Sequence, residues 1–154
     1  MRSGNPKKRP TQTDVVFKSR VVARMINTIM KAGKKSIAEK IVYSALDQLS
    51  QDKKEAVTMF EQAVKNVMPL QEVRSRRVGG ATYQVPQPVR HERAEALAVR
   101  WIVDSAAGKK GKPMVNKLYE ELKNAFDNTG SAIKKREDVH KMAEANRAFS
   151  HFRF

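Results

Sequence analysis

Cysteine is absent from the 154 residues. That excludes disulfides, thiolate metal sites and cysteine nucleophiles, and it fits a reducing, intracellular setting. Long apolar runs are missing too. None approaches the roughly 18 residues that a membrane-spanning helix needs, and no leader of basic, apolar and small residues opens the chain. Catalytic patterns are equally scarce. His91, His140 and His151 stand apart, and there is no HExxH, no GxSxG and no paired-carboxylate signature. The expectation is a protein that is not an enzyme and has no metal site or cofactor. There is no low-complexity tract and no internal repeat. The length suggests one domain, able to bury roughly two thirds of its unfolded surface.

Acid is in short supply. Asp and Glu total 16 against 31 Lys and Arg, for a net charge of +15. Such an excess repels itself in a compact body and points to a polyanionic partner. The surplus is uneven: residues 1–35 carry ten basic residues and a single acid, Asp14. Residues 1–17 open with "MRSGNPKKRP", which has no apolar period. They read as a basic, partly disordered arm in the free protein, bearing Arg2, Lys7, Lys8 and Arg9.

From residue 18 to 154 the apolar spacing predicts one mainly α domain. Val22, Met25, Ile26 and Ile29 form the first helical stripe, and Gly33 is expected to end that helix. Ser36 is a candidate cap for a second helix carrying Ala38, Ile41, Val42, Ala45 and Leu49. A third carries Ala56, Met59, Phe60, Ala63, Val64 and Val67 and stops at Pro69. A fourth carries Ala94, Leu97, Ala98, Trp101 and Ile102, with Trp101 assigned to the core. Pro113 suits the first turn of a fifth, with Val115, Leu118, Tyr119, Leu122 and Phe126. The sixth runs from about Ser131 to Phe149 with a thin stripe of Ile133, Val139, Met142 and Ala143. So thin a stripe suggests that one side meets something other than its own core.

Between the third and fourth helices lies "VRSRRVGGATYQVP". Gly79-Gly80 accepts the positive φ of a tight hairpin turn. Pro86 and Pro88 exclude a central strand. The result is a two-stranded β-ribbon over about residues 71–89, protruding from a six-helix bundle. A two-residue turn sets Arg76 opposite Tyr83 and Arg77 opposite Thr82. Arg74 and Arg76 then share one face and Arg77 takes the other. Charge on both faces argues against a ribbon packed flat on a core and favours an arm with its tip free. Guanidinium forks match phosphate oxygens. Tyr83 either stacks on a base or packs within the protein.

Other basic groups extend the candidate nucleic-acid surface. Arg20, Arg24 and Lys31 line a helix face without acids. Lys34, Lys35 and Ser36 join a glycine turn to a helix N-terminus, where backbone N–H groups favour an anion; the spacing is not that of a Walker loop. Arg90, Arg93 and Arg100 follow the ribbon. Lys109, Lys110 and Lys112 form a loop that either touches phosphate or serves solubility. Lys134, Lys135, Arg136, Lys141 and Arg147 crowd the last helix, interspersed with Glu137, Asp138 and Glu144.

"GKKSIAEKIVYSAL", "VRSRRVGGATYQVP", "ALAVRWIV" and "AIKKREDVHKMAEANRAFSHFRF" closely resemble the small-subunit ribosomal protein seven family of bacterial and organellar type, from about residue 18 to the C-terminus. The resemblance implies the same six helices and ribbon. It also implies binding to the 3′ major domain of small-subunit rRNA and nucleation of head assembly. The partners it implies are neighbouring small-subunit proteins and, through the arm near the exit-site tRNA and the mRNA exit channel, those two RNAs. The setting would be a cytoplasmic ribosome, or an organelle interior for an organelle-encoded chain. Residues 11–17 lack the family's usual Pro-Asp-Pro, and Arg93-Ala94 stands where paired arginines are common. Two other classes fit the charge: an architectural DNA-binding protein using a β-ribbon, and an adaptor for an acidic protein.

Overall fold

The computed structural model describes Gly4 and residues 12–152. Arg2, Lys7, Lys8 and Arg9 lie outside the described residues. Six α-helices form the body: α1 (Arg20–Ile29), α2 (Lys35–Leu49), α3 (Lys53–Val67), α4 (His91–Gly108), α5 (Met114–Phe126) and α6 (Ser131–Ala145). An antiparallel hairpin of β1 (Gln71–Val78) and β2 (Ala81–Pro88) sits between α3 and α4, and a 3-10 helix covers Arg147–Phe152.

The expected stripes build the core. Val22, Met25, Ile26 and Ile29 of α1 are buried, as are Phe60, Ala63, Val64 and Val67 of α3. Burying one side chain such as Phe60 stabilises the fold by about 1.5–3 kcal/mol. α5 packs against α2, α3 and α4, and α1 closes on α2 and α4. Trp101 and Tyr119 pack partly buried against this cluster. On α2 the stripe is rotated: Leu46 is buried, while Ile41 and Leu49 are half-buried.

Several helix ends differ from the sequence expectation. α1 stops at Ile29, four residues before Gly33, because Met30 (ψ 126°) leaves the helix. Ala32 (φ 52°) and Gly33 (φ 73°) have by then reversed the chain. That reversal starts α2 early, so Lys34 is its N-cap and Ser36 lies within the first turn instead of capping it. The last helix breaks at Asn146, whose side-chain amide donates to the Met142 carbonyl at 2.8 Å. A side chain that caps the last carbonyls in this way competes with helix continuation. The packed body also reaches back past residue 18. Phe17 joins the core, and buried Asp14 accepts hydrogen bonds from Phe17 N–H at 2.9 Å and the Tyr43 hydroxyl at 2.7 Å.

The ribbon has the expected register, Arg76 opposite Tyr83 and Arg77 opposite Thr82. Gly79 (φ 57°) and Gly80 (φ 92°) supply the two left-handed residues of the turn. The ribbon is less free than an isolated arm, however. It lies along α6 and the 3-10 helix. Val85 is fully buried, and Tyr83 packs its ring on Phe149 and Phe152, with centroids 5.3 and 4.9 Å away. Charge on β1 therefore coexists with an apolar seam on β2, which a tally of arginines does not reveal.

Candidate nucleic-acid interface

The basic residues separate into those held by the protein's own acceptors and those left exposed. Glu95 of α4 is buried at 2 % exposure. It accepts from Arg20 at 3.2 Å and from Arg24 at 2.6 Å, so these two α1 arginines belong to an internal ion cluster before they belong to any partner. Glu72 of β1 does the same for the ribbon. It pairs with Arg74 at 2.8 Å and with Arg93 of α4 at 2.8 Å. Burial alone would raise the Glu72 carboxyl, but hydrogen bonds from Arg93 and Arg74 outweigh it and hold it below the usual carboxylate range. A buried carboxylate with two guanidinium partners needs both, since removing one leaves charge uncompensated.

In the loop after α4, Lys109 pairs with the fully buried Glu121 at 2.8 Å, and Lys112 pairs with Glu120. Arg136 turns inward and donates to the Asn66 carbonyl, satisfying the C-terminal end of α3. Asn66 in turn donates to the Ala125 and Phe126 carbonyls, both at 3.1 Å, at the end of α5. Arg136 thus clamps helices together, with its side chain 23 % exposed. Lys35 faces Glu39 at 3.6 Å, and Arg147 faces Glu144 at 3.4 Å, both on wet surfaces where such pairs contribute little.

What remains is exposed cation without an acid partner among the described residues. Lys31 and Lys34 stand at the turn before α2 beside Ser36; Arg77 stands near the ribbon tip with the half-buried Arg76; Arg100 lies on α4 and Lys110 in its loop; Lys134, Lys135 and Lys141 lie on α6. Gly79 and Gly80 are open at the tip, with nothing near a Cβ built there. Tyr83 is the exception among the candidates, because its ring is already covered by the C-terminal aromatics. Met142 of α6 is 54 % exposed, in keeping with a side that its own core does not cover.

One groove joins separate elements. It encloses about 1170 Å³ between the base of the ribbon, the start of α4 and α1, and its lining includes Arg24, Glu72, Arg74, Arg90, His91, Glu92 and Arg93. Four guanidiniums therefore meet across 70 residues of sequence. The N-terminus of α4 opens there with no side-chain cap. Among the described residues, no group of three or more His, Asp or Glu could hold a metal ion, and no helix is long and apolar enough to cross a membrane.

Known proteins share this chain at full length. The sequence matches the family described as ribosomal protein S7p/S5e over residues 1–147. The chain belongs to that family. S7p/S5e proteins are ribosomal proteins and not enzymes, and the match begins at residue 1, ahead of the start near residue 18 that the motifs mark. The chain is 60 % identical to the small ribosomal subunit protein uS7 of Fervidobacterium nodosum, with both chains fully covered. It is 55 % identical to that of Thermotoga maritima, again over all of both. With that of Pelagibacter ubique it is 53 % identical, over 97 % of this chain and 96 % of the relative.

Glu72, Glu95 and Glu121 organise the S7p/S5e surface of this chain and were not among the candidate residues. A signal exists for two of them. Glu95 falls at helical spacing with Val99, Ile102 and Ala106, and Glu121 with Leu118, Leu122 and Ala125, all of them buried. An acid on an apolar stripe announces a buried partner.

Proposed function

We propose that this chain is a structural component of the small ribosomal subunit. In this reading it binds the 3′ major domain of the subunit's rRNA, helps nucleate head assembly beside neighbouring ribosomal proteins, and directs its ribbon toward the exit-site tRNA and the mRNA exit channel. Family membership supports the ribosomal setting. The observation that carries the RNA reading is the division of the cations. The chain's acids engage one set internally, and a second set at the α2 turn, ribbon tip and α6 stays exposed with no carboxylate partner among the described residues. Those positions are suited to phosphate.

Nuclease footprinting of small-subunit rRNA with the purified protein tests the primary site: protection confined to the 3′ major domain is expected, and uniform protection overturns the reading. Removing 2′-hydroxyls from the ligand separates RNA from DNA recognition. The arm has its own test. R76A/R77A subunits should show altered mRNA and exit-site tRNA handling with rRNA affinity nearly intact. An equal loss of both would make the ribbon a main rRNA anchor.

A further inference from the structure

Acidic residues in a protein that binds a polyanion are ordinarily a cost, since each repels phosphate. Three here are placed where repulsion should matter most. Glu72 and Glu92 line the groove itself, and Glu95 holds a guanidinium that lines it. Glu95 and Glu72 are largely shielded: Glu95 is 2 % exposed and the Glu72 side chain 12 %.

Their geometry explains why. Glu72 bridges two elements, taking Arg74 from β1 and Arg93 from α4. Both of its oxygens lie 2.9 Å from Arg93 Nε. Glu95 takes Arg20 and Arg24 from α1, and Arg24 also reaches the Glu92 carbonyl at 3.4 Å. A free arginine samples many rotamers and must be ordered when a ligand binds. Here three of the four groove arginines are ordered in advance, each with a side chain still partly exposed: 23 % for Arg24, 52 % for Arg74 and 51 % for Arg93. The fourth, Arg90, is exposed and completes the wall.

We infer that Glu72 and Glu95 are positioning residues for RNA, fixing Arg74, Arg93 and Arg24 around this groove so that it receives consecutive phosphates of one ribose-phosphate backbone. This rests on the rRNA reading above. It makes a prediction against simple electrostatics. E72Q and E95Q each raise the net charge by one, yet each weakens selective binding.

The test uses the full chain and two RNAs, a transcript of the small-subunit 3′ major domain and an unrelated structured RNA of equal length. E72Q is expected to lose about tenfold in affinity for the transcript, because two rotamer-rich side chains must then be ordered on binding. Affinity for the unrelated RNA should hold or rise. E95Q should behave alike. Melting temperatures are measured in parallel. If either glutamine variant melts lower, Arg90→Ala decides the matter, since the Arg90 side chain has no hydrogen-bond or ion-pair partner among the described residues. It should keep the wild-type melting temperature and lose transcript affinity, and retained affinity overturns the groove. Wild-type protein that binds both RNAs alike overturns the rRNA reading. Wild-type protein that selects the transcript, while folded E72Q and E95Q select it as well or better, overturns this inference alone.

Discussion

Gly130 holds φ at +93°, and a Cβ built on it would sit 2.9 Å from Asn124 Cβ and 3.2 Å from Glu121 Oε1. Both backbone and space demand glycine there. The reason lies next door: Glu121 accepts the Ala132 N–H at 2.9 Å, so the start of α6 is tied to α5 through a buried carboxylate. Gly130→Ala should destabilise the protein by about 1–3 kcal/mol, read as a lowered urea midpoint. His140 marks a second single-residue dependence. Its Nε2 accepts the Leu70 N–H at 3.0 Å, a role only the neutral ring can fill. Burial lowers its proton affinity, and nearby Arg136 lowers it further, against a smaller opposing effect of Glu137. With the folded value below the unfolded one, protons favour the unfolded chain. Stability from this contact is complete above about pH 6.5 and is lost as pH falls through the folded value. Denaturation curves between neutral and mildly acidic pH should show that loss in the wild type, and His140→Gln should remove it.

The ribbon is the element whose sequence and structure diverge most instructively. Its turn, strand limits and register were legible because Gly-Gly and the alternation of side chains are local properties. Its resting place was not. Tyr83 is the one aromatic residue of the ribbon, and its partners Phe149 and Phe152 lie more than 60 positions away. The Tyr83–Phe149 pair should show a coupling of about 0.5–1.5 kcal/mol in a double-mutant cycle to Ala. Loss of either ring should speed amide exchange in β2 more than in α3. Coupling near zero would mean that the tail does not hold the arm. The same long-range blindness explains α6. Arg136 sits in a run of basic residues that reads as one wet surface, and only the approach of α3 turns that single side chain inward.

At the scale of the molecule, the count of 31 Lys and Arg overstates the cations that have no carboxylate of their own. Arg20, Arg24, Arg74, Arg93, Lys109 and Lys112 are all engaged by internal carboxylates, which lowers self-repulsion in the free protein. The unpaired exposed cations and the groove arginines together govern the salt response. Each neutralised phosphate should contribute roughly 0.7–0.9 to the slope of log affinity against log salt. Titrations at several salt concentrations should therefore give a steep slope for rRNA. R76A/R77A should reduce that slope by no more than about two phosphates' worth, and a wild-type slope near zero would contradict electrostatic binding.

By itself the sequence determined the mainly helical class, the place and register of the hairpin, the core stripes and a polyanionic partner, because these follow from composition and from periods of two and 3.6 residues. The tertiary structure alone decided which cations are free. Whether an arginine faces solvent or a buried glutamate depends on helices 70 residues apart meeting in space, and no local spacing encodes that meeting.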